Sequence, residues 1–239
     1  MATLFARSRG IDMKEPIGDW IYLLRPISNL DIPPSKQYTL LHPIATRLTP
    51  HTEQALKCAC DSILLLLQYH EPDVSQKLSD LRVPLHQAFA PLLSSLFAVI
   101  KSDATMALWD GIFQCNDCVL SIFMIVVLTI NAGDSLTELS STEEALELLN
   151  NCLSRMEEED VPDLVDLAIS YRDLTPRSHM EYRLAPLFGS RPTPEALEPS
   201  LCAEITAAEA ILSVACDPSC LSFVLFDVRS PDQDWIVTR

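Results

Sequence analysis

Glycine is scarce in this chain of 239 residues, which contains 5 glycines against 17 prolines. All-β folds with many tight turns need glycine where φ is positive, and phosphate-binding loops need it where the backbone approaches the ligand. The scarcity therefore disfavours a turn-rich all-β fold and a glycine-rich nucleotide loop. Apolar residues make up 48% of the chain, which is enough to form a sizeable core.

Positive charge is also in short supply, because 17 basic residues stand against 33 acidic ones and the net charge is −16. An acidic chain repels phosphate backbones and anionic lipid headgroups, so this balance predicts no nucleic-acid partner. A partner with a basic surface is compatible with the same balance.

Long apolar runs are missing as well. The most apolar stretch, at 119–130, reads VLSIFMIVVLTI, and a helix that crosses a bilayer needs about 20 such residues. The run therefore predicts a buried core helix and no transmembrane segment. The first residues lack the apolar region of a signal peptide, so a cytoplasmic protein is expected.

Eight cysteines without a signal peptide indicate reduced thiols. Cys115 and Cys118 have the CxxC spacing of zinc and redox sites, whereas Cys216 and Cys220 are four residues apart. The second spacing does not fit a paired zinc site, no histidine lies near, and the first pair has a helical context. Buried structural thiols are the preferred interpretation, and no metal or cofactor is expected.

Hydrophobic periodicity together with capping and proline signals predicts a run of helices. The first predicted segments are a broken helix at 20–30, a helix at 38–48 interrupted by Pro43, a helix from Thr49–Pro50 to Tyr69 with its end at Glu71–Pro72, an amphipathic turn at 74–81 and an apolar helix at 87–99. The later ones are a helix capped by Ser102–Asp103 and ending near Gly111, the core helix with its C-cap at Asn131–Gly133, a helix opened by the capping box Ser141–Glu144 with Leu146, Leu149 and Leu153 on one face, and a helix from Asp160–Pro162 through Leu164, Leu167 and Ala168 to Tyr171.

The C-terminal part of the sequence differs in character. Residues 173–200 carry five prolines and predict a linker or an irregular wrap. Beyond them, Thr206–Glu209 opens a short helix to about Ala215, and residues 221–228 (LSFVLFDV) predict one buried strand. A lone strand leaves its backbone without partners, so this last part is expected to be incomplete.

The order of these segments resembles a known family. LLLQYHEP at 65–72, SLF at 95–97, ALWDG at 107–111, the core helix and residues 157–168 are similar to the C-terminal lobe of a TBC domain, the all-helical fold of Rab GTPase-activating proteins. DVRS at 227–230 resembles the opening strand of a rhodanese-like domain. The combination looks like the TBC-plus-rhodanese vesicle-capture adaptors of the trans-Golgi. The domain boundaries expected from this resemblance are an unassigned start at 1–15, a partial TBC domain at 16–172, a proline-rich linker at 173–200 and the start of a rhodanese-like domain at 201–239.

The resemblance implies an all-α, TBC-like helical bundle and a role as an adaptor. Members of this kind capture endosome-derived vesicles at the trans-Golgi network, so the implied partners are golgin coiled coils and vesicle-adaptor complexes, with a Rab GTPase bound without catalysis as a further option. Peripheral association with the trans-Golgi network or its incoming vesicles is expected. A Rab GTPase-activating protein and a truncated, non-functional or competing isoform are the alternatives.

The catalytic fingers of active TBC domains are not expected in this sequence. Those domains use an arginine against the charge on the transferring phosphoryl group and a glutamine that orients water. Counting back from Pro26, the tyrosine of the glutamine motif falls on Pro16 and the glutamine on Gly18. Arg7 and Arg9 lie too near that position and lack the accompanying isoleucine and aspartate. We therefore expect no catalytic residue on the TBC side.

A rhodanese nucleophile is not expected either, because the resemblance puts its cysteine loop after the Asp-x-Arg strand. Cys216 and Cys220 precede that strand, and Asp227 and Arg229 are expected to have a structural role. Four other motifs have both a functional and a structural interpretation, and the structural one is preferred for Trp109–Gly111 (a packed helix end), Tyr69–Glu71 (a helix C-terminus), Glu157–Asp160 (a solvated acidic turn) and His179 (no visible companions).

Overall fold

The structure is a computed structural model in which residues 2–9, 19–50, 52–99, 104–152, 156–189, 192–200 and 202–216 are described. Helices and turns make up these residues without a β-strand, apart from an isolated antiparallel bridge between Pro50 and Phe188. The predicted all-α class is thus confirmed for the described residues, whereas the strand predicted at 221–228 lies outside them. Contacts divide the chain into two units, Met1–Glu204 and Ile205–Arg239.

Helices of very different length form the first unit. They are α1 (Ala2–Arg9), α2 (Leu24–Ser28), α3 (Pro34–Arg47), α4 (Glu53–His70), α5 (Pro72–Asp80), α6 (Leu85–Ser94), α7 (Ala104–Cys115), α8 (Leu120–Asn131), α9 (Gly133–Glu138), α10 (Thr142–Cys152), α11 (Val161–Leu174) and α12 (Arg177–His179). Short 3₁₀ turns lie at Asp19–Leu23, Glu158–Asp160, Ala185–Leu187 and Glu195–Leu197, and a π turn lies at Met180–Leu184.

Helix α8 is the centre of the first unit. Every residue from Leu120 to Thr129 is buried, and α8 packs against α4, α6, α7, α9 and α11. A helix that is apolar all round has no face to present to water, so it lies inside. The core helix predicted at 119–130 is confirmed. In the part of the chain that the structure describes, no helix is both long and apolar enough to span a bilayer.

Helix α3 corrects the predicted interruption at Pro43. The helix continues through this residue, although proline supplies no N–H to the carbonyl four residues earlier. Leu41, Ile44 and Ala45, which flank the proline, are buried. Their packing outweighs one missing hydrogen bond, which is the usual way in which tertiary contacts override helix propensity.

The start of α4 was also predicted wrongly. Its N-cap is Thr52, whose hydroxyl oxygen accepts the N–H of Ala55 at 3.0 Å. Thr49 is instead buried and donates its hydroxyl to the carbonyl of Ala45 at 3.1 Å. The predicted end at Glu71–Pro72 is confirmed, because Glu71 is the C-cap of α4 and α5 begins at Pro72.

Helix α6 ends at Ser94, so the helix predicted at 87–99 was too long. The N–H of Leu96 bonds the carbonyl of Leu93, and the N–H of Phe97 bonds that of Leu92 at 2.8 Å, which is the Schellman pattern of a helix C-terminus. Leu96 occupies the left-handed position with φ of 47°. Glycine usually fills this position, so a chain poor in glycine places a buried leucine in a conformation that L-residues avoid.

Two glycines lie inside the bundle where helices approach closely. Gly111 was predicted to end a helix but lies within α7, whereas the predicted end of the core helix at Asn131–Gly133 is confirmed, because α8 ends at Asn131 with Ala132 as its C-cap. A Cβ on Gly111, within α7, would lie 2.7 Å from Cγ2 of Val165 on α11. Gly133 is the first residue of α9, and a Cβ there would lie 2.9 Å from Cγ2 of Val74.

The predicted caps of the later helices have mixed outcomes. Ser141 caps α10, because its hydroxyl oxygen accepts the N–H of Glu144 at 3.2 Å. The carboxylate of Asp160 does not cap α11; it accepts the N–H of Glu157 at 3.1 Å and closes the preceding turn. Ser102, Asp103 and Leu153, which belong to other predicted helix signals, lie outside the described residues.

Residues 177–187 form consecutive helical turns that pack on the bundle. Leu184, Leu187 and Phe188 are buried in the common hydrophobic core, and the turns at 185–187 and 195–197 contact α4. We call the described residues 177–189, 192–200 and 202–204 the wrap. They match the predicted irregular wrap, because they pack on the helices of the first unit.

The second unit is described from 205 to 216. It contains α13 (Ala207–Cys216), and the hydroxyl oxygen of Thr206 accepts the N–H of Glu209 at 3.3 Å. The helix predicted to open at Thr206–Glu209 is confirmed.

Candidate functional site

A groove opens between the C-terminal ends of α8 and α10, the start of α9 and the N-terminal half of α11. Its volume is about 440 Å³. Leu167 lines this groove and is 44% exposed. The apolar lining consists of Leu128, Ala132, Leu148, Met156, Leu164 and Leu167.

Carboxylates form one edge of this groove. Asp160 and Asp163 line it, and Glu157, Glu158 and Glu159 precede them in an exposed turn. The acidic turn predicted at Glu157–Asp160 is confirmed as solvated, and its charge suits the positive end of the α11 dipole. The groove thus combines an apolar floor with an edge of negative charge, and it favours an apolar ligand that also carries positive groups.

The Tyr69–Glu71 motif joins α4 to the end of α11. His70 is the last residue of α4, as predicted, and its Nε2 lies 2.8 Å from the hydroxyl oxygen of Thr175. The Thr175 hydroxyl donates to the carbonyl of Tyr171 at 2.9 Å, so the bond to His70 requires an Nε2–H donor. Burial lowers the pKa of His70, and its ring meets that of Tyr171 edge-on at 5.0 Å. These contacts assign the histidine to helix packing.

The Trp109–Gly111 motif is explained by packing. Trp109 is 1% exposed, and its indole N–H donates to the carbonyl of Leu96 at 2.7 Å. This bond satisfies a carbonyl at the left-handed end of α6, while Gly111 admits Val165. The motif lies within α7, so the predicted helix end was wrong and the predicted packed tryptophan is confirmed.

The CxxC pair flanks the connection between α7 and α8. Cys115 ends α7, Cys118 lies just before α8, and both thiols are partly buried. Burial raises the pKa of Cys118 to about 11, which keeps this thiol protonated and a poor nucleophile near neutral pH. Among the described residues, no group of three or more His, Cys, Asp and Glu side chains is arranged to hold a metal ion.

The structure describes only some of the remaining residues that were considered for catalysis or metal binding. Pro16, Gly18, Cys220, Asp227 and Arg229 lie outside the described residues. Arg7 is exposed on α1, Arg9 is the last residue of that helix, and Cys216 is the last residue of α13.

Sequence reasoning missed the companions of His179. This residue is 1% exposed, and its Nδ1 accepts the N–H of Glu204 at 3.3 Å. Arg183, one turn further along, pairs with the Glu204 carboxylate. The contact spans 25 positions in the sequence, and neither periodicity nor a motif indicates it.

No protein-family model matches this chain. Membership of the TBC family therefore stays a prediction, which depends on the residues that carry the resemblance.

Proposed function

We propose that the chain is a non-catalytic adaptor, and that the groove between α8 and α11 binds an amphipathic helix of a partner protein. The exposed Leu167 beside an apolar floor with an acidic edge is the observation that carries this proposal. Following the resemblance, we take the bundle as a TBC-like fold and the partner helices as golgin coiled-coil segments at the trans-Golgi network. The adaptor would then act in the capture of endosome-derived vesicles.

The shape of the groove supports a helical ligand. Helix-in-groove recognition places side chains at spacings of three and four residues into an apolar channel. The floor is built from facing helices, with Leu128 and Leu164 almost fully buried and Leu167 partly exposed. Apolar groups of a partner helix would cover Leu167 and remove its surface from water, which is the main source of affinity in such contacts.

The charge of the groove supports a basic ligand. Asp160 and Asp163 lie along one edge, exposed glutamates precede them in the adjoining turn, and the chain as a whole carries a net charge of −16. Opposite charges at the edge of an interface accelerate association and fix the orientation of the ligand. Lysine or arginine beside the apolar face of the partner helix is therefore part of the proposal.

Binding of golgin N-terminal peptides to the full chain, measured by fluorescence anisotropy, tests the proposal. Leu167→Asp should weaken binding by at least about tenfold, because it places a charge in the apolar contact. Leu174→Asp is the matched control, since Leu174 lies on the same helix, is 65% exposed and does not line the groove. It should leave affinity unchanged.

Two further results bear on the same proposal. Affinity of the wild type should fall as salt concentration rises, because the charged edge is screened. Failure of the wild type to bind any golgin peptide, or equal loss in Leu167→Asp and Leu174→Asp, would contradict the proposed surface. Acceleration of GTP hydrolysis in a panel of Rab proteins would contradict the non-catalytic assignment and favour a Rab GTPase-activating protein.

A further inference from the structure

The last part of the wrap, residues 195–200 and 202–204, is called the strap below, and its 3₁₀ turn Glu195–Leu197 contacts helix α4. Ala196 is 4% exposed, and the carbonyl of Leu197 accepts the thiol of Cys58 on α4 at 3.5 Å. The 3₁₀ turn Glu195–Leu197 also contacts the π turn Met180–Leu184. The strap therefore covers part of α4 and meets the helical turns that precede it.

Arg183, in the π turn, is one of the two side chains that hold the strap. Its guanidinium donates to the carbonyls of Glu195 and Glu198 and forms an ion pair with the carboxylate of Glu204. The planar guanidinium of arginine is suited to several acceptors at once. The Arg183 side chain is 13% exposed, whereas the Glu204 carboxylate that it pairs with belongs to a side chain that is 49% exposed. The hydrogen bond that Glu204 accepts from Arg183 lowers the pKa of the Glu204 carboxyl, which therefore stays ionised near neutral pH.

His179 is the other side chain, and it holds the strap only in its neutral form. Its Nδ1 accepts the N–H of Glu204, which requires a lone pair on Nδ1 and places the ring proton on Nε2. Nε2 is buried and has no hydrogen-bond partner among the described protein groups. A second proton, taken from solvent, would go to Nδ1 and turn the acceptor into a donor that faces another N–H.

We propose that His179, Arg183 and Glu204 form a latch that releases the strap from α4 when His179 takes up a proton. The inference is independent of the groove between α8 and α11. Release breaks the bond from the Glu204 N–H to Nδ1 and places a cation beside the guanidinium of Arg183. It also uncovers Ala196 and the thiol of Cys58.

The direction of the pH dependence follows from the groups that face His179. Burial lowers its pKa, the carboxylate of Glu204 acts in the opposite direction, and the Arg183 cation adds to the lowering. An open strap exposes the ring to water, where a histidine titrates near about 6.5. The open state therefore binds the proton more tightly, and opening is favoured as pH falls below about 6.5 and suppressed above it.

Hydrogen exchange of the full chain at about pH 7 and about pH 5 tests the latch, after correction for intrinsic exchange rates. In the wild type, strap amides should lose up to about tenfold of their protection per pH unit, while amides of α8 stay protected. His179→Asn is the comparison variant, because its Oδ1 lies where Nδ1 lies, accepts the same N–H and does not titrate. Its strap should be equally protected at both pH values.

Three results would overturn the latch. They are equal protection of the strap at both pH values in the wild type, an equal loss in His179→Asn, and a simultaneous loss in α8 that signals global unfolding. Should His179→Asn fail to fold, alkylation of wild-type Cys58, relative to the urea-unfolded chain at the same pH, decides the question. This ratio should rise on acidification while that of Cys60, which is 1% exposed on α4, stays constant; an unchanged ratio for Cys58 overturns the latch.

Discussion

The core around α8 and the wrap after α11 are stabilised in different ways. In α8 nearly every contact is apolar, and the hydroxyl of Thr129, which is buried there, donates to the carbonyl of Ile125 at 2.7 Å within the same helix. The wrap also buries leucines, but its last segment depends on charged and titratable groups, Arg183 and His179. Apolar burial is insensitive to pH, whereas these polar contacts depend on it. The first region should fix the fold, and the second should respond to conditions.

The largest effect should come from emptying the core. Phe123→Ala removes a ring that is 0% exposed, so we expect a loss of about 3–5 kcal/mol in the free energy of unfolding. Phe113→Ala is the matched control, because Phe113 is 37% exposed and should cost no more than about 1 kcal/mol. Urea denaturation followed by circular dichroism measures both. Equal losses would show that α8 is not the centre of the core.

Overfilling the core should have the next largest effect. Gly111→Ala places a Cβ 2.7 Å from Cγ2 of Val165, and valine on a helix has little rotamer freedom to move away. Overpacking costs about 1–3 kcal/mol, and the better helix propensity of alanine recovers up to about 1 kcal/mol. A net loss in unfolding free energy is expected.

A double variant identifies the cause of that loss. Gly111→Ala combined with Val165→Ala should be more stable than the sum of the two single changes predicts, because the clash is gone. Denaturation curves of the four proteins give this coupling. Additive effects, or a stabilising Gly111→Ala, would mean that α7 and α11 are packed less tightly than the structure has them.

The sequence predicted the helices of the core more completely than the contacts of the wrap. The unbroken apolar run at 119–130 predicts α8, since such a run is soluble only when buried. Local signals also gave the end of α4 at Glu71–Pro72 and the start of α13 at Thr206. They failed at Pro43 and Gly111, because the packing of neighbouring helices, which no local pattern encodes, decides those positions.

The sequence predicted only separate parts of the candidate site. The acidic turn at Glu157–Asp160 was found from composition, but the groove needs the ends of α8 and α10 beside α11, a relation set by tertiary structure. The sequence predicted a helix through Leu164, Leu167 and Ala168 but did not indicate which of these residues is exposed. The structure leaves 44% of Leu167 exposed beside the open groove that it lines.

A titration at the boundary of the two regions should have a smaller effect. Burial lowers the pKa of His70, which contacts Thr175 just before the wrap. The unfolded chain therefore binds a proton more readily than the folded one below about pH 6.5. The free energy of unfolding decreases as the pH is lowered through this range. One histidine accounts for at most about 1.4 kcal/mol per pH unit.

His70→Gln isolates this contribution, because its side-chain amide can still donate to Thr175 without titrating. The difference in unfolding free energy between wild type and variant should change between about pH 7 and about pH 5 and be constant above that range. A constant difference throughout would mean that the ring is solvated in the folded state.

The smallest effect should come from the exposed ion pair of the wrap. Arg177 and Glu181 approach to 2.6 Å at i and i+4, but their side chains are 80% and 51% exposed. Water and salt screen such pairs, so a double-mutant cycle of Arg177→Ala and Glu181→Ala should give a coupling of at most about 0.5 kcal/mol, which vanishes in about 1 M salt. A coupling above about 1 kcal/mol would place the electrostatic support of the wrap at its surface. The expected small value instead leaves that support to Arg183 and His179, where burial makes each lost hydrogen bond more costly.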